Sequence, residues 1–208
     1  MSPTVSREYP LTESFLHIDL ATPYRSTIAI TNLACFLAKC EHKDEDDFVP
    51  EKEFGSDVEG KKPIVFDVGK SKVKLRDALQ RSRDLFGDDA TLLYDGFLPS
   101  SMREICQMNG KENGGPWECY DAFEFIGWES NKVVAITTGR FDTLGMVTRA
   151  KTQLIVILAE PAENYHFFKQ FYANYQRHFH AAADRGLVEL DELAASAITN
   201  ESKCCAKS

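Results

Sequence analysis

Gly69-Lys70-Ser71 is the group of residues whose types and spacing first suggest chemistry. The apolar run "KPIVFDVG" leads into it, and "SKVKLRDALQRSRDLFG" follows with an amphipathic helical period. A strand, a glycine turn and a helix N-terminus are what a phosphate-binding loop needs, because backbone N–H groups wrap the phosphates and the lysine offsets their charge. The pattern requires G-x-x-x-x-G-K-[ST], and Ile64 stands where its first glycine belongs. The apolar strand also runs almost to Gly69, which leaves no residues for the cradle. The tripeptide therefore reads as a strand end, a glycine turn, and Ser71 as the N-cap of the next helix.

Other catalytic patterns are absent. Neither G-x-S-x-G nor H-E-x-x-H occurs, and His17, His42, His166, His178 and His180 are not spaced with carboxylates as a site. His178 and His180 lie two apart on a predicted helix and so do not share a face. The 6 cysteines show no C-x-x-C spacing. Reduced, structural thiols are expected, with neither a zinc site nor a disulfide framework and no metal ligands.

A chain of 208 residues with 43% hydrophobic and 27% charged content can bury one substantial core. Its formal charge of −8 means that any nucleic-acid contact has to come from a local patch. No segment reaches the roughly 18 apolar residues of a membrane span. "MSPTVSREYPLTE" lacks the apolar centre of a signal peptide, so a cytoplasmic or nuclear protein without membrane contact is expected.

The elements follow from periodicity and punctuation. "SFLHIDLA" (residues 14–21) reads as a strand, "TPYR" as a turn and "STIAITNLACFLAK" as a helix. Residues 41–60 are acidic, contain Gly and Pro, and read as a long exposed loop. After the strand and helix around Gly69, "ATLLYDG" is a strand and "LPSSMREICQMNG" a short helix with a serine cap. "KENGGPWE" is a loop, "WECYDAFEF" includes a short strand, and "NKVVAITTG" is a strand. "RFDTLGMVTRA" is a helix and "KTQLIVILAE" a strongly apolar strand. Alternating strands and helices predict a parallel sheet covered on both faces. In "ENYHFFKQFYANYQRHFHAAADRG" the residues Phe168, Phe171, Tyr172, Tyr175 and Phe179 share one face of a long helix. That face packs on the sheet or offers an aromatic surface to a partner. "LVELDELAASAI" is a candidate last helix.

Three stretches carry a more specific signal. "FIGWESNKVVAIT" (residues 125–137), "LGMVTRAKTQLIVIL" (144–158) and "IDLATPYRSTI" (18–28) stand in the order and on the elements of three motifs of superfamily 1 helicases. The resemblance is to the branch containing the nonsense-mediated-decay RNA helicase and related DNA helicases, whose elements are F-Q-G-x-E, L-T-R-A-[RK] and T-P-Y-[RK]. It covers about residues 14–160. Ile126 replaces the motif glutamine, and Leu144 replaces an asparagine.

The resemblance implies an α/β, RecA-like parallel sheet with helices on both faces over residues 1–160, followed by a C-terminal helical extension over 161–208. It implies the second of the helicase's two domains, the one without the P-loop. Arg149 would then be a candidate arginine finger, suited by its rigid and always-charged fork. A helix C-terminal arginine interacting with the last carbonyls is the plainer reading. Gly127, Glu129 and Arg149 form the implied nucleotide-contacting set, with Glu129 near the ribose. Thr22, Tyr24, Arg25 and Thr148 form the implied nucleic-acid-facing set. ATP and Mg would enter only with a partner P-loop domain, and the chain alone would hold no cofactor and hydrolyse no ATP. RNA or single-stranded DNA could meet Arg25 and "GKSKVKLR". The competing expectation is a non-enzymatic protein-interaction module that uses the aromatic helix or the acidic loop.

Overall fold

The computed structural model describes residues 26–42, 48, 58–139 and 142–191. The predicted strand 14–21, the residues Thr22, Tyr24 and Arg25, most of the acidic loop and the C-terminal tail lie outside the described residues. The elements are α1 (Ile28–His42), β1 (Ile64–Gly69), α2 (Lys72–Phe86), β2 (Thr91–Tyr94), α3 (Ser100–Met108), β3 (Glu118–Asp121), β4 (Ser130–Thr137), α4 (Asp142–Val147), β5 (Ala150–Ala159), α5 (Lys169–Asp184) and β6 (Glu189–Asp191).

Among the described residues the strands form one sheet of 6, all parallel, in the order β3-β2-β4-β5-β1-β6. Side chains alternate across it, as strand geometry requires. Leu154, Val156 and Leu158 of β5 join α1, α4 and α5 in one core, while Ile155, Ile157 and Ala159 join α2 and α3 in the other. The helices α2 and α3 connect strands in one direction along the sheet, and α4 and α5 return in the opposite direction on the other face. A single hand of crossover produces that segregation. Fully burying a side chain such as Phe66 or Ile136 stabilises the sheet by about 1.5–3 kcal/mol. The α/β class, with helices on both faces, is the one expected, and the sheet is consistent with a RecA-like fold. Among the described residues no helix is long and apolar enough to cross a membrane.

Gly69-Lys70-Ser71 is a turn and a cap. The Ser71 side chain accepts the Lys74 N–H at 3.3 Å, and the Ser71 N–H is taken by the Val68 carbonyl at 3.0 Å. The Gly69 N–H donates to Asp67 Oδ1 at 3.2 Å. Two donors that a phosphate cradle would aim outward are thus already used. Lys70 lies 3.7 Å from Glu160.

Several elements differ from expectation. Residues 189–191 of the predicted last helix form β6, parallel to β1. The α3 helix begins after Pro99, with no side-chain cap, so the predicted serine cap is instead the first turn. The long aromatic helix is a 3-10 segment, Glu163–Phe168, broken at Tyr165, and then α5. The helix predicted over 140–150 is short: α4 ends at Val147, and Thr148 and Arg149 turn into β5. The acidic loop is not uniformly exposed either. Phe48 is buried with its ring 5.3 Å from Phe36, and the carbonyls of Val58 and Glu59 accept the N–H groups of Ile28 and Ala29 at the start of α1. Those two bonds satisfy donors that a helix start leaves open.

The α5 helix is anchored by Asp67 in β1. Asp67 accepts from the Tyr172 hydroxyl at 2.7 Å and from Gln176 Nε2 at 2.6 Å. Burial first, and then the bond to Asp67, raise the Tyr172 pKa above its ordinary value. The neutral phenol therefore supports the fold fully below about pH 10, the unfolded tyrosine value. That support is lost as pH rises from there through the folded pKa, because only the unfolded tyrosine ionises first. In thermal melts, wild type should lose stability steeply above about pH 10. Tyr172→Phe should start about 1 kcal/mol lower at neutral pH and fall less steeply. Parallel pH curves for the two proteins would refute this.

Candidate functional site

In open parallel sheets ligands usually lie beyond the carboxyl ends of the strands. Here that end is occupied by side chains. Phe97, just after β2, packs edge-on against Tyr165 at 4.9 Å and against Phe168 at 5.1 Å. Gly139, after β4, has φ +81, and a Cβ there would meet the Phe171 carbonyl oxygen at 2.9 Å. Tyr175 and Phe179 are buried farther along α5. The aromatic face read from the sequence is thus spent largely on covering the protein's own sheet.

The described residues of the three motif stretches gather at the opposite, amino end. Gly127 has φ +84, a left-handed conformation that lets the β3–β4 loop turn into β4 with open space beside it. Ser130, the first residue of β4, donates its N–H to the Arg149 carbonyl at 3.0 Å and is in register with Ala150. Glu129 and Arg149 therefore flank the same rung of the sheet. Thr148 closes the end of α4, with its hydroxyl donating to the Gly145 carbonyl at 2.9 Å. The third stretch arrives at the same place. The Ser26 hydroxyl donates to the Ala150 carbonyl at 2.8 Å, and the Thr27 N–H donates to the Lys151 carbonyl at 2.9 Å. Ser26 and Thr148 also line one groove of about 270 Å³ between α1 and α4, with Thr31 and Leu144.

Glu129 is a partly buried carboxylate whose Oε2 lies 3.3 Å from Lys151 Nζ. Its ability to accept hydrogen bonds suits a hydroxylated ligand, and the lysine orients it. The Arg149 backbone is fixed by bonds to Met146 and Ser130. No side-chain hydrogen bond or ion pair to its guanidinium occurs among the described residues, so the helix-terminal role is not made through a carbonyl contact. A half-buried guanidinium on a fixed backbone can take an anion from outside the chain.

A pocket of about 360 Å³ opens beside Glu129, reaching Thr91, Tyr120 and Trp128. Ile126 and Trp128 are each 68% exposed and Phe123 is 52% exposed on the same loop. Reading the sequence assigned no role to Lys151, Ser26, Thr27 or Trp128. Lys151 belongs to the motif stretch itself, whereas nothing in the spacing marks Trp128 as exposed. No protein-family model matches the chain, and no curated protein matches it.

Proposed function

We propose that this chain is the half without a P-loop of a nucleic-acid-dependent ATPase, completed by a separate P-loop domain. One observation carries the reading: three stretches distant in sequence meet on a single end of the sheet, at Ser26–Thr27, Glu129–Ser130 and Arg149–Lys151. In this reading Glu129 and Gly127 face the nucleotide, and Arg149 reaches its terminal phosphate. Thr148, with Thr22, Tyr24 and Arg25, faces RNA or single-stranded DNA. ATP and Mg belong to the joint site. Closure of a second domain would exclude water and strengthen the guanidinium–phosphate attraction.

A second reading, a protein-interaction module, is favoured by a different feature from the aromatic helix. Tyr175 and Phe179 are internal, whereas Phe123, Ile126 and Trp128 project outward.

The test compares the recombinant chain with tagged chain recovered with its companions from its natural source. The recovered assembly should hydrolyse ATP with magnesium and respond to added RNA or single-stranded DNA. The recombinant chain alone should not rise above background. Turnover by the chain alone, or an inactive assembly, would refute the proposal.

A further inference from the structure

Among the described residues β3 is an edge strand whose own residues pair only with β2. Trp117, just before it, is bridged to Gly110, so residues 109–111 cover the start of the edge and leave it open from Cys119 on. An edge strand presents unpaired N–H and C=O groups, and proteins usually guard such edges with lysine, proline or a covering segment. This edge carries Glu118 and Asp121, with Glu112 and Glu124 beside it. Lys111 lies 3.7 Å from Glu118, but no ion pair to Glu112, Asp121 or Glu124 occurs among the described residues.

The edge is also flanked by concave surface on both sides. One pocket, of about 360 Å³, reaches Tyr120, Phe125 and Trp128. The other, of about 370 Å³, reaches Tyr94, Gln107 and Cys119. Glu118, Tyr120 and Glu124 line both, so the two pockets meet across the strand. The local field is negative: burial first, and then Glu112, push the Cys119 thiol up to about 12, and burial raises Tyr94 with Asp121 and Glu124 adding to it.

We propose that the free edge of β3 docks an extended, basic segment of a partner protein by strand addition. The partner's backbone would continue the sheet, and its alternate side chains would enter the two flanking pockets. Lysine or arginine fits those positions for two reasons. Four carboxylates surround the edge, and the ring faces of Tyr120 and Trp128 attract cations. The same charge disfavours nucleic acid here and disfavours pairing of this edge with a second copy of itself. This inference does not rest on the ATPase reading, because it needs no contact with Arg149, although the pocket at Tyr120 and Trp128 also borders Glu129 and Ser130.

The probes are synthetic peptides alternating lysine with valine, an acidic counterpart alternating glutamate with valine, and single-stranded oligo-dT. Binding is read by Trp128 fluorescence, with Trp117 buried as an internal reference, and by calorimetry. The basic peptide should bind, weaken with salt, and lose about tenfold in affinity to the Glu118→Lys/Glu124→Lys variant. Both positions are exposed, and an unchanged melting temperature confirms that the variant is folded. Two further basic peptides, N-methylated on one or the other alternating set of residues, separate strand addition from plain charge attraction. One of them should lose binding. The proposal is overturned if the acidic peptide or oligo-dT binds as well as the basic peptide. It is equally overturned if the double variant binds undiminished, or if both methylated peptides bind like the parent.

Discussion

Replacing Arg149 by alanine is expected to lower ATP turnover by the recovered assembly about a thousandfold while leaving this chain folded, since an arginine that stabilises transferring phosphate contributes 10³–10⁵ in rate. The Arg149 backbone bonds to Met146 and Ser130 do not involve its side chain. Truncating a side chain without such partners changes stability by about 0.5 kcal/mol or less. Arg149→Lys should recover little, because a lysine is a point charge without the guanidinium fork. Glu129→Gln is the useful contrast. It breaks the 3.3 Å pair with Lys151, a partly exposed contact whose loss costs at most about 1 kcal/mol. It should chiefly raise the ATP concentration needed for half-maximal rate if Glu129 meets the ribose. A tenfold or smaller loss in the Arg149→Ala assembly would sink the arginine-finger role even if the assembly is an ATPase.

Much of this frame is legible in the residues. The strands β1, β4 and β5 are continuous apolar runs, as strands buried on both faces must be, and they stand where the runs "PIVFDVG", "NKVVAIT" and "LIVILA" placed them. The α2 helix is equally plain, because Ser71 and Gly87 punctuate both its ends. What escapes is whatever depends on tertiary pairing. "LVELDEL" has leucines at helical spacing, yet Glu189–Asp191 becomes a strand because β1 has an open side for it to pair with. The edge position of β3 is a property of strand order, and no local pattern encodes it. Phe48 looks like loop surface until α1 brings Phe36 beside it. The candidate site divides in the same way. The identities of Glu129 and Arg149 are visible through a resemblance, but their meeting at one rung requires the register Ser130–Ala150. Trp128 could not be distinguished from a core tryptophan, and Trp117, on the other side of β3, is one: it is fully buried, with its indole N–H on the Gly87 carbonyl at 2.8 Å.

The carboxyl end of the sheet should answer to mutation through stability. Asp95, at the end of β2, is 1% exposed and has no cationic partner among the described residues. Its Oδ1 accepts the Phe97 N–H at 2.8 Å. Its Oδ2 accepts the Thr138 N–H at 3.2 Å and the Thr138 hydroxyl. Those bonds join the turn after β2 to the end of β4 and hold Phe97 where Tyr165 and Phe168 meet its ring. Asp95→Ala strands three donors, two of them buried and the Phe97 N–H partly so, each costing up to about 1–3 kcal/mol when unmet. The costs are not additive, because water can enter the space vacated by the carboxylate. A total loss of about 3–5 kcal/mol in urea unfolding is the expected result. Asp95→Asn keeps an oxygen for Phe97 but turns an N–H₂ toward the Thr138 N–H; the Thr138 hydroxyl can rotate to accept, so the loss should be smaller, about 1–2 kcal/mol. A catalytic aspartate would behave differently, with Asn and Ala alike removing activity from a protein of ordinary stability. If Asp95→Ala instead unfolds within about 1 kcal/mol of wild type, this carboxylate is not the tie between β2 and β4, and the carboxyl end of the sheet regains its claim to a ligand.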